Sequence, residues 1–212
     1  MKRFLLISLV LLIGQSTFAQ DKYTDAMKKN IAMLDSMYLK QNALTIADNF
    51  TRIADAEKDK WQPYYYAAYA TAVAALNEQD VTKKDDIADK ATSLLDKAEK
   101  NLAKPNSETE VIRAMIATAH LMVDPQSRYM QYGMESNDHL KKAEQLDPTN
   151  PRPVLFQAQS VFYTPETFGG GKDAAKPLFD KAAVLFDNFK PADDLSPVWG
   201  KSQLDYFEKM YQ

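Results

Sequence analysis

The chain has 212 residues, no cysteine and a formal net charge of −3 at neutral pH, or −5 without Lys2 and Arg3. The lack of cysteine excludes disulfides, thiolate zinc sites and iron–sulfur clusters, so stability must come from packing. The acidic balance argues against nucleic acid as a partner, because phosphates need a basic face.

Lys2 and Arg3 open the chain, Phe4 to Ile13 is an apolar run, and Gly14 to Ala19 is a short, mostly small or polar stretch. That order is the grammar of a secretory signal peptide. Ten apolar residues are too few for a bilayer, which takes about 20. The expectation is a leader over 1–19, cut between Ala19 and Gln20, and a single domain over 20–212 that is periplasmic or secreted and has no membrane span. No cysteine follows the apolar run, which excludes lipid attachment there.

Downstream, glycine is scarce and Ala, Lys, Asp, Leu and Met are plentiful, which favours helix over sheet. Ile46, Phe50 and Ile53 recur at helical spacing. Trp61 to Tyr69 holds four tyrosines and a tryptophan in nine residues. At about 100° per residue, Trp61, Tyr65 and Tyr69 share a face, with Tyr64 and Tyr66 beside it. Over 84–103, Ile87, Ala91, Leu94, Leu95, Ala98 and Leu102 form one apolar stripe, and Asp85, Asp86, Asp89 and Lys90 a solvated face. Ser107-x-x-Glu110 reads as a capping box opening a helix to about Met122. Over 128–146 the stripe is Tyr129, Tyr132, Gly133, Ser136, Leu140, Ala143 and Leu146. Asn150-Pro151 and Ser196-Pro197 each set a capping side chain before a proline at the first helical position. Over 172–190, Ala175, Leu178, Phe179, Ala182, Leu185, Phe186 and Phe189 make another apolar face. Pro177 falls within the first two turns of that helix and predicts a late start. Pro105, Pro125, Pro148 and Pro191 end apolar runs. About nine helices with short connections follow.

A repeat runs through these helices. Small–large–small triples spaced by four and then three residues recur as Ala91/Leu95/Ala98, Ser136/Leu140/Ala143 and Ala175/Phe179/Ala182, with Ile46/Phe50/Ile53 a coarser version. Their central residues stand at intervals of 45, 45 and 39. The triples and their closing prolines resemble the second helix of a tetratricopeptide repeat, with its A-x-x-x-F, small residue and proline. The chain departs from the first-helix pattern W-x-x-L-G-x-x-Y, to which the nearest segments, both poor matches, are Trp61-x-x-Tyr64-Tyr65-x-x-Ala68 and Val154-x-x-Gln157-Ala158-x-x-Val161. The intervals also exceed the usual 34 or so. The resemblance implies an all-α, right-handed helix-turn-helix solenoid with second-helix cores near 46–53, 91–98, 136–143 and 175–182. A terminal helix over 196–211, carrying Trp199, Leu204, Phe207 and Tyr211, would cap it.

In that family the first helices line a concave surface, so the resemblance implies a binding groove on 62–76, 107–122 and 151–163. The tyrosines of 61–69 either fill the core or set Tyr65 or Tyr66 with Tyr69 in the groove as anchors for a peptide or sugar. Phe168, Gly169, Gly170, Gly171 and Lys172 form an inserted loop, read as a glycine turn with Phe168 tucked beneath it or as a ligand-contacting loop. It is no P-loop, since a helix precedes it and Asp173 follows the lysine. His120, His139, Met122 and Met134 are the candidates for a copper site, against the reading of methionine as core filler. Neither histidine sits in a nucleophile motif. The expected function is an exported, non-catalytic interaction or scaffold module, without cofactor, for another envelope or secreted protein or peptide. The alternative is a peptide or small-ligand receptor of the envelope.

Overall fold

Four helical segments begin on a side-chain cap. Asp80 accepts from Thr82 N at 3.0 Å, Asn106 from Thr109 N at 2.9 Å, Asp124 from Ser127 N at 3.3 Å and Asn150 from Arg152 N at 3.0 Å. Each satisfies a backbone donor that a helix start leaves orphaned. The structure, a computed structural model, describes residues 22–37 and 42–211. The expected leader over 1–19 lies outside the described residues. Among these residues the chain forms nine α-helices of eight residues or more and no strand: α1 at 22–31, α2 Ala43–Ala56, α3 Trp61–Asn77, α4 Val81–Lys100, α5 Ser107–Leu121, α6 Met134–Leu146, α7 Pro151–Tyr163, α8 Lys172–Asn188 and α9 Lys201–Glu208. No helix among them is long and apolar enough to cross a membrane.

The expected triples sit in the core. Ala91, Leu95, Ala98, Ser136, Leu140, Ala143, Ala175, Phe179 and Ala182 are all buried, as are Ile46 and Phe50, while Ile53 is half-buried. The small residues let neighbouring helices approach, and the large one fills the space between them. Two apolar clusters result. The larger spans α1 to α6 and takes in Phe156 and Trp199, and the smaller joins α7, α8 and α9 around Phe179, Leu204 and Phe207.

Helix α5 touches both α3 and α7, and the three start at one end of the molecule. The Tyr65 hydroxyl donates to Glu108 Oε2 at 3.0 Å, and Asn150 Nδ2 donates to Ser107 Oγ at 2.9 Å, joining the first turns of α5 and α7 and the second turn of α3. Their other ends, Asn77, Leu121 and Tyr163, therefore lie away from this one. Asp85, in the second turn of α4, reaches His120 at the end of α5 there.

Several local expectations are corrected. Asn106, not Ser107, caps α5, and Glu110 is free to pair with His139 and Lys142 instead. Ser196 starts no helix, because its hydroxyl donates to Asp193 Oδ1 in a turn; α9 begins five residues later, at Lys201. Helix α8 begins at Lys172 despite Pro177, whose exposed ring costs one backbone bond without breaking the helix. The stripe expected over 128–146 holds from Tyr132 to Ala143, with Gly133 buried and Tyr132 half-buried, but fails at its two ends. Pro125–Arg128 is a helical turn and Tyr129–Gly133 a π-helical segment. The wider π turn rotates Tyr129 off the buried face and leaves it exposed, and Leu146 at the far end is exposed as well.

Candidate functional site

The face made by the first helices is not open. Tyr65, Tyr66 and Tyr69 are fully buried, and the chain's own segment from Asp193 to Gln203 lies across them. Trp199 stacks on Tyr69 with ring centres 4.2 Å apart and donates its indole N–H to the Tyr65 hydroxyl at 2.9 Å. The Tyr66 hydroxyl donates to Leu195 O at 3.0 Å, and Gln203 Nε2 donates to the Tyr69 hydroxyl at 3.1 Å. Arg152, buried at the start of α7, donates to Glu108 Oε1 at 2.9 Å and to Pro197 O, with its guanidinium over the Trp199 ring. Lys28 pairs with Asp194, and Ser202 Oγ donates to Asp35 Oδ1 at 2.8 Å, so the segment also reaches the α1 end of the molecule. The expectation of Tyr65, Tyr66 and Tyr69 as groove anchors is thereby corrected: they are core rings with hydroxyls satisfied inside the protein. Burial pushes the Tyr65 and Tyr66 phenols well above their ordinary range. Burial also raises the Glu108 carboxyl, against the pull of Arg152 and the Tyr65 hydroxyl.

The far ends of α5 and α7 carry exposed apolar side chains. Met122, Tyr129, Met130 and Met134 stand around the α5–α6 connection, and Tyr163 and Phe168 around the α7–α8 connection. The sharpest concentration is aromatic. Phe168 is 81% exposed, Tyr163 70% and Tyr206, on α9, 58%. Beneath them Phe207 stacks on Phe179 at 4.8 Å and meets Phe162, Tyr163 and Tyr206 edge-on at 5.2, 6.0 and 5.4 Å. Tyr163 and Tyr206 thus rest on a packed inner layer, and Phe168 stands on the loop that follows Tyr163. Burial, and secondarily the charge of Tyr206, raises the Tyr163 phenol.

The 164–172 loop presents Phe168 outward instead of tucking it away. Phe168 N and Gly170 N donate to Pro165 O at 2.9 and 3.2 Å, Gly169 N to Glu166 O at 2.9 Å, and Gly171 N to Val161 O at 2.9 Å. With those donors used internally, the three glycines form no anion cradle. Lys172 is turned away from the loop: its ammonium donates to Met210 O and lies over the Tyr211 ring at 5.0 Å. Of the five loop residues singled out from sequence, Phe168 alone is presented as a contact.

The histidines hold helices together. His120 Nδ1 shares a 2.7 Å hydrogen bond with Asp85 Oδ1 and stacks on Tyr132 at 4.9 Å. Arg128 donates to the same oxygen at 2.8 Å, and that bond, with the one from His120, holds the Asp85 carboxyl below its ordinary range. His139 Nδ1 lies 2.6 Å from Glu110 Oε2. Met122 and Met134 are exposed, and among the described residues no group of three His, Cys, Asp or Glu side chains is placed to hold a metal ion. Sequence reasoning missed Tyr206 and did not weigh Tyr163 as a contact. Their signal was available as two adjacent aromatic pairs, Phe162-Tyr163 and Tyr206-Phe207, in which only one ring of each can face the core.

No family model matches the chain, and no curated protein does. Among solved structures it is similar to the HusA haemophore from Porphyromonas gingivalis, with a TM-score of 0.76 and 36% sequence identity over 89% of this chain and 92% of that one. At that identity over nearly the whole of both, the chain belongs to the same family as that protein.

Proposed function

We propose that this is an exported, non-catalytic ligand carrier that holds haem, or a flat apolar ligand of that class, on the corner formed by Tyr163, Phe168 and Tyr206. The observation that carries this reading is two exposed tyrosines on a packed aromatic base, with the exposed Phe168 on the loop that follows Tyr163, in a chain whose relative is named a haemophore. A tetrapyrrole is a large planar apolar surface, and stacking on aromatic rings is how side chains bind such surfaces. Tyrosine is also one of the side chains that can ligate haem iron, and both Tyr163 and Tyr206 offer a hydroxyl. The scaffold reading has less support, because the first-helix face it would use is filled by residues 193–203. We read the paired helices as a long-period tetratricopeptide-like solenoid, which the common starting end of α3, α5 and α7 supports.

The test is titration of the purified protein with haemin, followed in the Soret region. Wild type should saturate, and Tyr163→Ala/Phe168→Ala/Tyr206→Ala should lose affinity by tenfold or more. Since all three side chains are mostly in solvent, circular dichroism and melting should be nearly unchanged. A triple variant that binds haemin like wild type would overturn the site. Tyr163→Phe and Tyr206→Phe then separate stacking from ligation, since only a lost iron–phenolate bond changes the spectrum.

A further inference from the structure

Between α1 and α2 lies a second concavity, of about 450 Å³, remote in sequence from the aromatic corner. That size is in the lower half of the range for small-molecule sites. Lys29 and Arg52 stand on its walls with Asn30 and Asn49, and Met33 and Ile53 supply apolar lining. Among the described residues no acidic side chain lines it. Several cations at helix contacts elsewhere are matched by carboxylates: Arg113 by Asp96 and Glu99, Arg128 by Asp85, Lys181 by Glu144. Among the described residues the Lys29 and Arg52 side chains have neither hydrogen bond nor ion pair. Asn30 Nδ2 is used on Ala26 O at 2.8 Å, and Asn49 makes no side-chain bond among the described residues.

We propose that this pocket is a separate binding site for a small amphipathic anion, a carboxylate or phosphate head on a short apolar body. The chemistry follows from the lining. A guanidinium is a planar fork that fits a carboxylate or phosphate with two parallel bonds, and an ammonium adds a mobile point charge. Asn49 can donate a further hydrogen bond to the head. Met33 and Ile53 exclude a bare ion as the full occupant, because an apolar wall rewards an apolar body. Two cations facing one cavity without a counter-charge repel each other, and an anion between them removes that cost.

Octanoate and octyl phosphate are the probes, acetate and inorganic phosphate the head-only controls, and octylammonium the charge-reversed control. Binding to the purified protein is read from the methyl resonances of Met33 and Ile53. At least one amphipathic anion should bind in the submillimolar range, ten times more tightly than its head-only control, with no response to octylammonium. Lys29→Ala/Arg52→Ala, both exposed positions, should weaken it tenfold or more while leaving haemin affinity unchanged. Octanoate against octyl phosphate identifies the head. The proposal is overturned if neither anion binds up to several millimolar, if the double variant binds as wild type does, or if octylammonium binds equally. Displacement of the bound anion by haemin would also overturn it, since the pocket would then belong to the haem site. Failure of haemin to bind anywhere leaves these outcomes unaffected.

Discussion

Glu108 and Glu110 stand two positions apart on α5 and titrate in opposite senses. Burial raises Glu108, outweighing the Arg152 charge and the Tyr65 bond. Burial also pushes Glu110 upward, but bonds from His139 and Lys142 and their charges outweigh it, and the carboxyl ends below its ordinary 4.5. A depressed carboxyl contributes stability above pH 4.5 that is lost as pH falls through its folded value; a raised one contributes below 4.5 and loses that contribution as pH rises. Glu110→Gln should therefore cost about 1.5–3 kcal/mol near pH 7, the worth of hydrogen bonds to a charged group. The cost should shrink as pH falls below 4.5 and through the folded value of Glu110, where wild type becomes protonated too. Urea unfolding across that acid range checks this; a cost independent of pH would assign Glu110 to packing alone. None of it was legible in sequence. Spacing showed Glu110 as a capping partner of Ser107, whereas its true partners come from α6, 29 and 32 positions on. A pair that far apart leaves no periodic trace.

At the scale of the element, second helices were legible because their signal is local: a small–large–small triple repeats within one helix and fixes the buried face of α4, α6 and α8. The π-helical segment Tyr129–Gly133 was not, since its apolar residues fit an α-helical stripe on paper and only the extra residue per turn moves them. The 164–172 loop was half legible. Its glycines announced a turn, yet the direction of Phe168 depends on which carbonyls the loop amides find. Two substitutions separate conformational from steric need. At Gly169, φ is +81° and an added Cβ meets nothing within 4 Å, so Gly169→Ala carries only left-handed strain, about 1 kcal/mol. At Gly170 an added Cβ would fall 2.3 Å from Thr164 O and 2.7 Å from Thr164 C, which are backbone atoms that cannot step aside. Gly170→Ala should displace the loop, lower the melting temperature more than Gly169→Ala and weaken haemin binding through Phe168. Equal effects of the two would show that the Thr164 contact yields easily.

For the whole molecule, the decisive feature is that the chain closes its own first-helix face. The sequence marked Trp199 as part of a capping helix at the end of a stack. Instead Trp199 lies before α9 and plugs the surface between α3 and α7, because Tyr69, Tyr65 and Arg152 together offer a ring to stack on, an acceptor for the indole N–H and a cation above the ring. Those three sites come from residues 47 to 134 positions away, which a linear pattern does not record. Trp199→Ala removes a buried aromatic side chain and should cost about 3–5 kcal/mol. Trp61, half-buried and edge-on to Tyr65 at 5.5 Å, should cost less on the same change. The plug also sets where α9 begins, two residues on, and α9 carries Tyr206 and Phe207 into the aromatic corner. Trp199→Ala should therefore lower both stability in urea and affinity for haemin, whereas Phe168→Ala should lower affinity and leave stability nearly intact. Measuring both quantities for both variants separates the wall of the site from its anchor. If Trp199→Ala lost stability but bound haemin at full strength under conditions where it remains folded, the corner would be held by α7 and α8 alone, and the plug would serve only to seal the tyrosines from water.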